Sequence, residues 1–452
     1  MTTTAQEARL LIGPVASALE WLGMLQLPGS PPLGLRALRG VLVVTMGLLL
    51  FIPSALLLLV DPPSNAETYR EVFFLSVAST TWWVKAVFFM LDRTRLEELM
   101  SILVDSTKRF PEDGSGIRSK YHRRAAMLSL AWQAAPVLSL PTWMMIPMLE
   151  RHYVTHGNIT EVYRRPMFYM LTPGNGLASP NYEIIYVVQC VAVLVAVEGS
   201  VLMDIYFVNI MIKVTSELEL LNVNLVRMRL CTPAQRQIQS VGNIAVPEHS
   251  HTRKGHSKAT YFLNKTNTQA GEELHDSAPI YESTNGASEE FSKLYKSLVK
   301  NVRHHQQIIV CVDELEAAMT KSITTVLAVS VFSICLQAFG FVEMFQGVVS
   351  QATVVKRMMS FLAYMTHNAL FCFLGQSITD QSERLLHSAF SSGWPDGDPP
   401  FKRSLTIIML RTSRPLVIRL GKFFTLSRNT YMQNLVKVKG NESSPAPNQE
   451  KQ

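Results

Sequence analysis

Six stretches of about 20 mostly apolar residues dominate this chain, and a run of that length reads as a membrane-spanning helix. They cover residues 37–60, 71–91, 125–149, 182–212, 322–349 and 358–378, with a weaker seventh at 420–438. Only 17% of the 452 residues are charged, against about 25% in soluble globular chains. The fold class that follows is an all-α membrane protein with seven transmembrane helices. The first forty residues lack a basic stretch followed directly by an apolar core and a small-residue cleavage site. No cleaved signal peptide is expected, and the first span does the targeting.

The net charge is +7. In a multi-span chain such an excess is topological, because Lys and Arg gather on cytoplasmic loops. It calls for no nucleic acid. The loop after the second span carries Arg93, Arg95, Lys108, Arg109, Arg118, Lys120, Arg123 and Arg124. The loop after the fourth carries Lys213, Arg227, Arg229, Arg236, Arg253, Lys254 and Lys258. The loop after the third has only Arg151, Arg164 and Arg165 near its ends. Even-numbered spans therefore end inside. Residues 1–36 become a cytoplasmic N-terminal segment and 439–452 a short extracellular tail. Lys356 and Arg357, in a brief connection, run against the rule.

Between the second and third spans, Leu96, Leu99, Met100 and Leu103 share one helical face, the pattern of an amphipathic helix that packs on its neighbours. Residues 37–230 hold the first four spans, with an outer loop at 150–181. Residues 231–290 change character. They are rich in Ser, Thr, Asn, His and charge, too polar to offset chain entropy by burial, and are expected to be a disordered cytoplasmic insert. Scattered His249, His251 and His256 fall there and imply no metal. Helical periodicity resumes with Leu294, Leu298, Val302, Ile309 and Val312. It runs unbroken into the fifth span, so this helix should project far below the membrane. Residues 291–438 then hold the last three spans.

No catalytic constellation appears: there is no Gly-rich phosphate loop, HExxH or GxSxG. The five cysteines avoid the predicted outer loops and show no metal-ligand spacing, so neither a structural extracellular disulfide nor a metal or cofactor site is expected. "DRT" at Asp92–Thr94 looks like the DRY sequence of G-protein-coupled receptors. It ends the second span rather than the third, the last span lacks NPxxY, and the N-terminus faces the wrong side. It reads as a charged helix end. Intramembrane ionisable groups are the default functional candidates. Here they are Lys85, Glu198, Asp204 and Glu343. Lys85 and Asp204 lie toward the cytoplasmic ends of their spans, where they could meet water. Matching broken helices, the mark of a transporter, are missing.

The segment from Ser392 to Tyr431, "SGWPDGDPPFKRSLTIIMLRTSRPLVIRLGKFFTLSRNTY", closely resembles the C-terminal signature of the insect odorant receptor family. That signature is a "SxW" element followed by a pattern like "FKxSLxIIMxRxxRPLxIxxGKFFxLSxxTF". "HHQQII" before the fifth span, "SICLQAF" within it and "SPNYEIIYVVQ" leading into the fourth extend the resemblance over roughly residues 35–435, outside the polar insert. It implies a seven-helix subunit of a tetrameric odorant-gated, non-selective cation channel in the plasma membrane of sensory neurons. The subunit would assemble with a shared olfactory co-receptor as a heterotetramer and bind a small volatile odorant. Gustatory receptors are the neighbouring alternative, but their last span carries "TYhhhhhQF" (h, apolar), whereas Thr430-Tyr431 is followed here by "MQNLVKV". A G-protein-coupled chemoreceptor, the third reading, requires the opposite topology.

The resemblance further implies an anchor where long cytoplasmic extensions of the fourth to sixth spans meet a helix before the seventh. Here that helix is expected at 401–420, with Trp394, Phe401, Leu405, Arg411 and Pro415 as interface residues. Pro415 disfavours helix at Arg414 and would kink the chain there. The last helix would line a pore with Ser427, Thr430, Tyr431, Asn434, Leu435 and Val438. Its polar residues suit a water-filled channel better than lipid. Because that helix looks short for a 30 Å core, conduction is expected to need the co-receptor. The implied ligand pocket lies in the outer half of the bundle. Candidate lining residues there are Phe74, Val77, Ser139, Trp143, Tyr186, Phe339, Phe361, Tyr364 and Met365. Trp143 and Tyr364 stand out because each pairs a large apolar face with a hydrogen-bond donor.

Topology yields the first prediction. Asn158, in "NIT", lies in the predicted outer loop and should carry a glycan; Asn264, in "NKT", lies in the cytoplasmic insert and should stay bare. Endoglycosidase should shift the mobility of the parent and of Asn264→Gln but not of Asn158→Gln. A glycan on Asn264 would overturn the orientation.

Overall fold

The structure, a computed structural model, describes residues 13–25, 33–149, 151–156, 159–164, 166–172, 179–228, 281–344, 351–421 and 424–433. Its helices are α1 (Pro14–Trp21), α2 (Leu33–Val60), α3 (Ala66–Leu91), α4 (Arg93–Arg109), α5 (Ile117–Leu149), α6 (Asn181–Arg227), α7 (Tyr281–Met344), α8 (Gln351–Phe390) and α9 (Pro399–Thr412). Two small antiparallel hairpins accompany them: β1 (Arg151–His156) with β2 (Ile159–Arg164), and β3 (Arg419–Leu420) with β4 (Phe424–Thr425). The first pairs Arg151 with Arg164 through to His156 with Ile159. Five helices, α2, α3, α6, α7 and α8, are long and apolar enough among the described residues to cross a membrane.

The environment changes along each long helix. On α6 the first half leaves Ile184, Val187, Val191 and Leu194 exposed, as lipid-facing positions require. From Met203 to Leu225 nearly every side chain is buried, polar ones included. The helix has 47 residues, about 70 Å at 1.5 Å each, while a bilayer core takes about 30 Å. The remainder stands clear of the lipid as the pillar of a second, lower bundle. Helix α7, with 64 residues, extends the same way.

That lower bundle is fastened by buried polar contacts. Arg118 donates to Glu217 through Nε (2.8 Å) and Nη2 (2.7 Å), and His304 Nε2 lies 2.9 Å from Oε2 of the same carboxylate. One residue of α6 thereby joins α5 and α7. The Tyr121 hydroxyl donates to Glu219 at 2.5 Å. Burial first, and then that bond, raise the phenol above its ordinary range, so it keeps its proton. Asn222 donates to the Gln381 carbonyl at 2.9 Å and accepts from Ser388 at 2.7 Å, tying α6 to α8. Helix α4 packs into the bundle rather than lying on a surface. Leu96, Leu99, Met100 and Leu103 are buried, and Tyr206 donates to the Leu96 carbonyl at 2.7 Å.

Several boundaries differ from expectation. Helix α7 begins at Tyr281, ten residues inside the stretch 231–290 expected to be disordered; its strong periodic core extends the helix upstream. Residues 231–280 lie outside the described residues. The anchor helix ends at Thr412, not at residue 420. Pro415 forbids continuation, and residues 415–418 carry no regular structure before β3. The seventh helix starts at residue 428 rather than 420. Gly421, at φ +58°, turns the β3–β4 hairpin in a conformation that favours glycine. Lys85 and Asp204 are buried against each other rather than wetted.

Removing the Glu217 carboxylate would leave Arg118 and His304 buried without their acceptor. Glu217→Ala should lower stability by about 3 kcal/mol or more, and Glu217→Gln, which keeps acceptor oxygen, by less. Thermal unfolding of the detergent-purified protein tests that order.

Candidate ligand site and pore entrance

In the upper bundle the sequence candidates fall into two clusters. Phe74 of α3 and Tyr364 of α8 meet edge to face, with centroids 6.2 Å apart. This spacing suits an aromatic pair. Phe73 makes a similar contact with Phe332 of α7 at 6.2 Å. The second cluster centres on Trp143 of α5, whose ring lies 5.7 Å from Phe168 and 5.0 Å below the Lys356 ammonium. Tyr186 of α6 is buried and donates from its hydroxyl to the Met144 carbonyl.

Val77, Phe361 and Met365 are half-buried on the same helices, whereas Ser139 turns its hydroxyl toward the Pro136 carbonyl of its own helix. The side chain of Phe339 and residue Asn158 lie outside the described residues, as do Asn434, Leu435 and Val438.

Two contributors escaped the sequence reading. Gln189, buried on α6, clamps the main chain of Phe168 from both sides: Nε2 donates to its carbonyl at 3.0 Å and Oε1 accepts from its N–H at 3.3 Å. Leu171 N–H then donates to the Pro53 carbonyl at 3.1 Å. Residues 166–172 are thus drawn in among α2, α5 and α6, with Met167 buried. A lone amide inside the apolar run "VVQCVAV" was the available signal. Lys356 is the other. It is 5% exposed and lies on α8, whereas the sequence reading placed it only in a brief connection.

Deeper in the bundle, Lys85 Nζ bonds Asp204 Oδ1 at 2.6 Å, the Ser200 carbonyl at 2.9 Å and its hydroxyl at 3.1 Å. His367 Nε2 of α8 stands 3.3 Å from the same Asp204 oxygen. Glu198 accepts from Gln133, and Glu343 has no described side chain. A small crevice of about 10 Å³, lined by Ile102, Ser106, Glu217 and Gln307 among others, lies in the lower bundle. That is room for about one water, far short of the roughly 300–1,000 Å³ of ligand pockets.

At the anchor, Phe401, Leu405 and Ile408 are buried on one face of α9, while Ile407 and Leu410 are exposed at 68% and 75% on another. Arg411 donates to the Arg414 carbonyl at 3.2 Å, closing its own turn, and Pro415 is exposed. Trp394 stacks obliquely on Phe390, 6.2 Å away.

The last helix begins with a cap. Ser427 Oγ accepts from the Thr430 N–H at 3.1 Å and shares a bond with its hydroxyl at 2.9 Å. Two expected pore-lining residues therefore start the helix. Arg428 pairs with Asp380, and Tyr431 touches Phe373 at 6.1 Å. Among the described residues no group of three metal-ligating side chains forms.

With this geometry in place, comparison with known proteins is informative. The family model described as 7tm Odorant receptor matches residues 65–437. Putative odorant receptor 69a, isoform A, of Drosophila melanogaster is 26% identical over 141 residues, 31% of this chain and 35% of that protein. Odorant receptor Or2 of Anopheles gambiae is 24% identical over 144 residues, 31% and 36% of the two chains. The chain thus aligns with about a third of the length of these curated relatives. Among solved structures, the olfactory receptor OR5 of Machilis hrabei in complex with eugenol superposes with a TM-score of 0.69. The match covers 96% of this chain and 97% of that one at 14% identity. A second structure of OR5 of Machilis hrabei gives the same score, covering 97% of each chain at 15% identity. These likenesses show a shared fold.

Ser427→Ala should remove the cap and cost about 1 kcal/mol of local stability, while Ser427→Thr should retain most of it. Hydrogen exchange at residues 428–433 should quicken in the alanine variant alone. Unchanged exchange would refute the capping role.

Proposed function

The chain belongs to the 7tm odorant receptor family, and from that premise we propose that it is the odorant-binding subunit of a heteromeric, ligand-gated, non-selective cation channel. It is a membrane protein of a receptor family, not an enzyme. We place it in the plasma membrane of sensory neurons, with seven spans, a cytoplasmic N-terminus and an olfactory co-receptor completing a heterotetramer.

The observation that carries the reading is the pairing of two features on one helix. Helix α8 contributes Tyr364 to the upper aromatic cluster and, below it, packs against the start of the last helix through Phe373 and Tyr431. A ligand among the upper aromatics would press on the helix that abuts the pore. The site chemistry suits a small, mostly apolar molecule: aromatic faces with few polar groups around them. Phe74, Trp143, Phe168, Tyr186 and Tyr364 are the proposed contacts. The exposed Ile407 and Leu410 on α9, beside a buried opposite face, support subunit contact at the anchor.

Patch-clamp recording of this chain with a co-receptor, during application of an odorant panel, tests the proposal. We expect fast cation current with the pair and none from this chain alone. Trp143→Ala and Tyr364→Ala should shift the half-maximal odorant concentration or the tuning by about tenfold, the effect of about 1.4 kcal/mol, at normal surface expression. Parent-like responses from both variants would put the pocket elsewhere, and current from this chain alone would refute the dependence on a partner.

A further inference from the structure

Ionisable side chains are costly to bury away from water and need partners when they are. Three converge from three different helices where the upper and lower parts of the bundle meet: Lys85 of α3, Asp204 of α6 and His367 of α8. Their side chains are 1%, 5% and 10% exposed. The ammonium has three protons to donate, and it has three acceptors, all on α6: Asp204 Oδ1 and the carbonyl and hydroxyl of Ser200. The tie between α3 and α6 is therefore saturated.

The third member is held differently. His367 Nε2 faces Asp204 Oδ1 at 3.3 Å, yet neither ring nitrogen makes a well-formed hydrogen bond. The ring is kept in place by Trp132 at 5.8 Å and Phe371 at 5.0 Å. Helix α8 thus meets the α3–α6 pair through this longer contact and through ring stacking, not through short bonds like those of Lys85. Of the ties at this junction it is the longest, so a small shift of α8 makes or breaks it first, which gives two settings.

Its position along α8 gives the junction consequence. Tyr364, one turn above His367, touches Phe74 in the upper cluster. Phe371 and Gly375 follow at helical spacing on the same face. A side chain at Gly375 would meet the Leu426 carbonyl at 2.6 Å, just ahead of the Ser427 cap. Ligand cluster, polar junction and the start of the last helix lie within twelve residues of one rigid rod.

We infer that Lys85, Asp204 and His367 are positioning residues that set odorant sensitivity. The Lys85–Asp204 pair fixes a reference point on α3 and α6, and His367 is the sliding contact by which α8 carries displacement from ligand to pore. A two-setting contact of this kind can be biased by a ligand that fits one setting better. The inference rests on the channel reading above.

Recordings of the full chain with its co-receptor, at matched surface labelling, test it. His367→Phe keeps an aromatic ring between Trp132 and Phe371 and leaves the Lys85–Asp204 pair whole, so it should reach the surface. It should shift the half-maximal odorant concentration at least about fivefold and change the odorant-free share of the current, because the balance between settings moves. Lys85→Met and Asp204→Asn each strand one buried charge and should shift sensitivity by about tenfold or fail to reach the surface. Lys85→Met/Asp204→Asn strands none and should return to the surface with a sensitivity nearer the parent's than either single variant. A purely structural role would alter surface yield without moving sensitivity or odorant-free current in His367→Phe. Unchanged values there, or a double variant no better than the singles, would overturn the inference. A parent that conducts beside such unshifted variants sinks only this inference; a parent without odorant-evoked current sinks the channel reading itself.

Discussion

Glu217 sits on α6 well below the apolar half of that helix, 6% exposed at its side chain. A carboxylate so buried is tolerable only when its oxygens are fully engaged. Arg118 takes both in a fork, the geometry in which guanidinium and carboxylate bind best, and His304 closes on one from the opposite side. The partners come from α5 and α7, so this contact brings three helices to one depth. The lower bundle can then bury Met203 to Leu225 on nearly all sides. Above it, the outward apolar faces meet lipid, and polar ties such as Gln189 to Phe168 and Ser330 to Asn368 lie inside. The change of solvent along α6 divides the molecule into a loosely apolar upper part and a polar-fastened lower part.

The sequence disclosed the first of these parts far better than the second. Spans are legible because a bilayer imposes length and apolarity on every residue of a run. Thus 37–60 and 71–91 end at the same residues as α2 and α3. The amphipathic face of α4 was legible for the same kind of reason, through local periodicity. Contacts between distant residues were not. Lys85 and Asp204 are 119 positions apart, and nothing local announces that each is the other's partner. Each was therefore read as a group that could meet water.

Helix ends tell a similar story at closer range. Pro415 announced a kink within an anchor helix expected to reach residue 420, but the helix stops at Thr412, where Arg411 bonds the Arg414 carbonyl. The last helix was expected from Leu420 because apolar character begins there. Ser427 was the better marker, since serine is a preferred N-cap that accepts from the N–H three residues on, as it does from Thr430. The upper site was half legible. Aromatic candidates on the spans were visible, and Phe74 with Tyr364 do meet. Phe168 was not chosen because loop residues between helices carry no periodic signal of burial, and Gln189 because a single amide in an apolar helical run does not name its partner.

This division explains how a fold can be kept at 14% identity with a TM-score of 0.69. The arrangement of helices rests on local periodicity and on a small number of polar fastenings, such as Glu217 with Arg118 and Asn222 with Gln381 and Ser388. The upper aromatic clusters bear little of that load. Exchanging one apolar side chain for another of similar volume usually costs under about 1.5 kcal/mol, while stranding one partner of a buried ion pair costs about 3–5 kcal/mol. Substitution is therefore least constrained where a small apolar ligand would be recognised and most constrained where helices are fastened. A receptor built this way can change what it binds by altering residues such as Val77, Phe361 or Met365, and leave untouched the junction at Asp204 and the clamp of Gly375 on Leu426.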